Sequence, residues 1–174
     1  MRRILIVTLG AALAFAAGEA KIKGKVLAGG RIFDAEVALT PAERAWGLME
    51  RTEKDFPADR CMFFIGEEDG HQPFWMKNCR IALDLIWIDR EGRVVEIVEN
   101  APPASPLVQS DAAIRTYGGK VPSRHVVEFR AGTVKALRLR AKDRIGWMLK
   151  PEGGVTVKGG LPIEGKPAKA GPKK

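Results

Sequence analysis

The sequence predicts a mainly β domain, an antiparallel β-sandwich or partly closed barrel of about seven or eight short strands around one amphipathic helix. Three observations predict it. Short apolar segments recur between polar turns, at 61–65, 73–78, 83–89, 94–99 and 125–130. Before them, Phe33, Ala35, Val37 and Leu39 alternate with Asp34 and Glu36, the period of two of a strand with one buried face. A single well-signalled helix follows them. At 174 residues, 45% apolar and 29% charged, the chain has the size of one domain and enough apolar surface for a real core. A multidomain machine and wholesale disorder are thereby excluded.

Residues 1–20 read as a secretory signal: Arg2 and Arg3 precede an apolar run at 4–17, and small residues at 16–20 offer a cleavage site. The run is too short for a span of about 20 residues, so the mature chain is expected to be a soluble monomer with no stable membrane span, periplasmic or secreted. Residues 21–149 form the expected globular body. It begins with two strand-like stretches parted by Ala28-Gly29-Gly30. The helix at about 41–51 then opens on Thr40, with Pro41 in its first turn and Glu43 three residues on, the pattern of a capping box. Ala42, Ala45, Trp46 and Met49 make its apolar stripe, expected to pack on the core. Gly92, closing Asp89-Arg90-Glu91-Gly92, supplies the positive φ of a hairpin loop. The Pro- and Gly-rich stretch 100–122 reads as an extended loop, 133–139 as a second short helix and 143–149 as a last strand. Residues 150–174 set six lysines against Glu152 and Glu164, with six glycines and four prolines, a composition that predicts a flexible basic tail. The net charge of +8 is concentrated there, and neither composition nor address suggests nucleic-acid binding.

Arg44, Gly47-Leu48-Met49 and Arg51, Met62-Phe63-Phe64, Phe74-Trp75-Met76-Lys77-Asn78, Leu83-Asp84-Leu85-Ile86 and Val126-Val127-Glu128 with Ala131-Gly132 resemble the domain of unknown function 192 over roughly residues 22–148. The resemblance implies a small, mainly β, often exported domain with no established activity, hence no catalytic residues to carry over. Cys61 and Cys79, the chain's two cysteines, stand where the family pattern has a small residue and a Thr. An even pair in an exported chain is read as one disulfide, worth about 3 kcal/mol. A redox or metal role lacks a Cys-x-x-Cys, and His71 and His125 are too scattered for zinc.

Asp84 is the sole charge in 83–88, and a carboxylate there is costly unless paired. Arg44, Arg51, Lys77 and Asn78 are its expected partners. The arrangement reads either as a structural ion-pair network or as a polar pocket around Lys77 and Asp84, binding an unknown small anionic or sugar-like ligand or a cell-envelope component. Trp75 or Phe74 offers a stacking surface, whereas Trp87 reads as core. An enzyme using Asp84 as general acid or base is the alternative, and a structural or interaction protein targeted by its tail is a third reading. No hydrolase motif, phosphate-binding loop or cofactor signature occurs. Glu67, Glu68 and Asp69 read as a solvated turn, so neither a metal nor a cofactor is expected.

Overall fold

In the computed structural model, which describes residues 22–104, 110–150 and 157–162, the chain forms a curled eight-stranded sheet, a two-stranded sheet and two short helices. The expected signal sequence, most of the basic tail and part of the 100–122 loop lie outside the described residues. In chain order the elements are β1 (Ile22–Ala28), β2 (Arg31–Ala38), α1 (Pro41–Trp46), β3 (Arg60–Phe64), β4 (Phe74–Trp75), β5 (Leu83–Ile88), β6 (Val94–Ala101), a 3-10 turn (Asp111–Ala113), β7 (Thr116–Tyr117), β8 (His125–Arg130), α2 (Thr133–Leu137), β9 (Gly146–Leu149) and β10 (Val157–Gly159). The large sheet runs β10-β9-β1-β2-β3-β8-β5-β6, and β4 pairs with β7. Every pair is antiparallel except β2–β3, where the crossover carrying α1 turns the chain back in the same direction.

Period two sorts the side chains into two cores. Along β3, Cys61 and Phe63 join one cluster with Phe33, Ile86, Val127 and Trp147. Met62 and Phe64 join the other with Leu48, Leu85, Trp87 and Val126. The two clusters therefore occupy opposite faces of the sheet. Trp87 is wholly buried, as expected, and donates from Nε1 to the Gln72 carbonyl at 2.8 Å.

Local signals hold where backbone geometry demands them. Glu43 N–H donates to Thr40 Oγ1 at 3.2 Å and Thr40 N–H to Glu43 Oε2 at 2.8 Å, completing the capping box. Gly92 takes φ 80° in the hairpin between β5 and β6. The helix is shorter than expected, because Gly47 at φ 48° ends it. No residue of α1 is buried, so the stripe of Ala42, Ala45 and Trp46 does not pack as read. Leu48 and Met49, in the turn beyond, enter the core instead. The segment 73–78 yields only the two-residue β4. Within the expected tail, Val157–Gly159 pairs with β9 as an edge strand.

The disulfide is corrected: Cys61 and Cys79 are both free. Cys61 lies buried in the first cluster, while Cys79 packs against the second. With the sheet between them the sulfurs cannot meet. No described helix is long and apolar enough to cross a membrane.

Candidate functional site

A cavity of about 310 Å³ lies on the face of the sheet that carries the second cluster. Four parts of the chain build it. α1 and the turn after it supply Arg44, Trp46, Leu48 and Met49, and β3 supplies Phe64. The strand β4 and its flanks supply Phe74, Trp75, Lys77 and Cys79, and β8 supplies Glu128. The aromatic groups are fixed by edge-to-face contacts: Phe74 stands 4.9 Å from Phe64 and 5.8 Å from Trp87, centroid to centroid. Trp75 and Trp46 remain 36% and 47% exposed. Trp75 alternates with the buried Met76, so period two sets it facing away from that core.

Two cations stand at this cavity. Lys77 Nζ lies 5.3 Å from the Trp75 ring centroid and pairs with Asp111 Oδ2 at 2.7 Å. Asp111 is exposed, and such a surface pair holds by at most about 1 kcal/mol. A ligand anion can therefore displace it. The Arg44 guanidinium donates to the Leu39 and Ile65 carbonyls, which ties the start of α1 to the end of β3.

The group that matters most is Glu128. On β8 it stands opposite Met62 of β3 and Leu85 of β5, both members of the second cluster, so its side chain enters that face. It is 4% exposed, and Oε2 has no hydrogen-bond partner among the described residues. Burial without compensation pushes its carboxyl up to about 8. At neutral pH it is therefore predominantly an uncharged acid with an O–H to donate. Cys79, in the same wall, is driven up to about 12 by burial and then by the Glu128 and Glu50 charges, so it is a thiol and no nucleophile at neutral pH.

The structure separates Lys77 and Asp84, which the sequence reading placed in one pocket. Asp84 is fully buried (0% exposed), and its period-two neighbours Ile86 and Ile88 belong to the first cluster, across the sheet from the cavity. Its Oδ1 accepts the Asn100 N–H and its Oδ2 the Val134 N–H, both at 2.8 Å. The expected partners Arg44, Arg51, Lys77 and Asn78 are not among its contacts; backbone donors of β6 and of the first turn of α2 take their place. Asp84 is thus a structural carboxylate that locks α2 to the sheet. Arg51 instead reaches the buried Glu36 at 3.1 Å, with Arg60 at 3.5 Å. Asn78, at φ 51°, shapes the turn after Lys77, its carbonyl accepting the Glu50 N–H at 2.8 Å.

Of the residues singled out in the sequence, Arg44, Trp75 and Lys77 come together. Glu128 was missed as a site residue, though its signal was the one that singled out Asp84: a lone acid inside an apolar run. Among the described residues no group of three or more His, Cys, Asp or Glu is placed to hold a metal ion.

Residues 24–147 match the domain of unknown function 192, described as an uncharacterised ACR family. A protein of unknown function from Novosphingobium aromaticivorans is 30% identical with a TM-score of 0.61, over 72% of this chain and 84% of that one. A protein of Sinorhizobium meliloti, provisionally described as a transcription regulator, is 34% identical with a TM-score of 0.60, over 72% of this chain and 93% of that one. No curated protein matches.

Proposed function

The chain belongs to the domain of unknown function 192 family, and from that premise we propose that it is an exported binding module of the cell envelope, whose pocket around Lys77, Arg44, Trp75 and Glu128 takes a small anionic or sugar-like ligand. One observation carries the reading: a buried carboxyl with an unpartnered oxygen lines a cavity that also presents cationic and aromatic side chains. An orphaned buried polar atom costs about 1–3 kcal/mol, and a ligand that completes it recovers that cost. Concave sites where aromatic and apolar side chains meet a few convergent polar groups are where small molecules bind. Export rests on the basic and apolar pattern of residues 1–20. The alternative of catalysis through Asp84 loses support, because both of its oxygens are occupied by backbone donors on the other face.

The test is a thermal-shift and NMR screen of the mature chain against sugar acids, glycan fragments, small organic anions and divalent metals. A ligand at 100 times its Kd adds about 2.7 kcal/mol, roughly 10 °C for a domain of this size. A hit weakened by Lys77→Ala and by Trp75→Ala supports the pocket. A silent screen, with no resonance near Trp75 or Lys77 moving, refutes it.

A further inference from the structure

We propose that the ligand is a ring-bearing carboxylate, seated with its ring against Trp75, its negative charge toward Lys77 and Arg44, and one of its oxygens hydrogen-bonded to the buried carboxyl of Glu128. This rests on the pocket reading above and specifies its chemistry.

Size limits the occupant first. A cavity of about 310 Å³ lies at the small end of small-molecule sites, which suits one ring with short substituents. The wall limits its shape. Phe74 is held edge-on by Phe64 and Trp87, and beside it Trp75 keeps part of its indole in solvent. These are surfaces for a flat or nearly flat ring.

Charge limits it further. The groups around Glu128 can be taken element by element. Opposite it on β3 and β5 stand Met62 and Leu85, which carry no charge. α1 contributes Arg44, and the following turn contributes Leu48 and Met49 and, beside Cys79, Glu50. Glu50 is engaged by Arg80 Nε at 2.7 Å. The segment after β4 contributes Lys77 and Cys79, with Asp111 paired to Lys77. With Glu128 protonated and Cys79 a thiol, the balance at the cavity favours an anion. A cationic ligand would meet Arg44 and Lys77, and would pair with Glu128 only after that group had released its proton. An anion leaves the proton in place and gives it an acceptor.

The geometry therefore couples binding to one proton. Isothermal titration of the mature chain with benzoate and with glucuronate, against the neutral counterparts benzamide and glucose and the cation benzylamine, tests it from pH 6.5 to 9. One acid is expected to bind at least tenfold more tightly than its neutral counterpart, and which acid does so separates an aromatic source from a sugar source. Its affinity is expected to fall about tenfold per pH unit above about 8. Glu128→Gln, whose amide donates but does not ionise, is expected to flatten that fall, and Glu128→Ala to weaken binding at pH 6.5. The proposal is overturned if the parent and Glu128→Gln share one pH profile. Benzamide or benzylamine binding as tightly as the acids also overturns it, while leaving the pocket itself intact. If no compound of this set or of the wider screen moves a resonance of a cavity residue, the pocket reading falls as well.

Discussion

Glu128→Gln should remove a specific pH dependence of stability. Folded, Glu128 keeps its proton up to about pH 8; unfolded, a glutamate loses it near its ordinary value of 4.5. Between those limits the folded state binds more protons than the unfolded state, so stability falls as pH rises. His125 acts oppositely in the acid range. Burial lowers it from 6.5 to about 4, so between those values the unfolded chain binds the extra proton and stability rises with pH. In the window from 6.5 to 8 Glu128 is the larger effect, and what remains of the His125 effect is common to parent and variant and cancels in their difference. At about 1.4 kcal/mol per pH unit over roughly 1.5 units, the folded state should lose about 2 kcal/mol across it. Glu36 is raised by burial against the pull of Arg51 and Arg60, but it is common to parent and variant and cancels in their difference. Cys79 matters only above pH 9, where an unfolded thiol ionises before the buried one. Urea unfolding followed by tryptophan fluorescence at pH 6.5 and 8, with the m-value checked for constancy, reads the effect. A parent that loses less than about 0.5 kcal/mol, or a variant that loses as much as the parent, would refute the assignment of Glu128 as a buried neutral acid.

Three further outcomes follow from the geometry. Asp84→Asn keeps one acceptor but points an NH2 at the second buried N–H, so it should cost about 2–3 kcal/mol in urea unfolding, while ligand affinity of the folded variant stays put because the residue lies across the sheet. Reducing agent should leave the melting temperature unchanged, since both thiols are free; a disulfide would be worth about 3 kcal/mol, and a drop of several degrees would show one. A chain ending at Leu149 should unfold about 1–2 kcal/mol more easily than one ending at Pro162, because it lacks β10, whose Gly159 lies against the Trp147 indole; equal stabilities would mean that the strand contributes nothing.

Strands β2, β3, β5 and β8, the capping box and the hairpin at Gly92 were legible because each is written in neighbouring residues: a period of two, a Thr-x-x-Glu, a glycine where φ is positive. The site was half legible. Arg44, Trp75 and Lys77 lie together, but which acid joins them depends on register between strands distant in sequence. The pairing of Leu85 with Glu128 sets Glu128 on the cavity face, whereas Asp84, one residue earlier, falls on the other. Backbone partners are equally hidden, since no side-chain pattern announces that the N–H groups of Asn100 and Val134 will meet Asp84. The cysteines misled for the same reason: Cys61 and Cys79 satisfy the composition rule for a disulfide and fail only on which face each occupies. Val157–Gly159 carries almost no strand signal of its own, and its order comes from the edge that β9 offers.

The strand order also dictates when the fold can exist during synthesis. β8 is inserted between β3 and β5, and β1 lies between β2 and β9. A nascent chain that has emerged only as far as β6 holds Met62-Phe63-Phe64 on a strand with one edge bare, because its partner His125–Arg130 is still to come. β1 waits longer still, for Gly146–Leu149. Sheet completion is a late event that joins the two ends of the domain, and pairings so far apart in sequence form slowly. Prematurely terminated chains would carry unpaired apolar edges, the templates for aggregation.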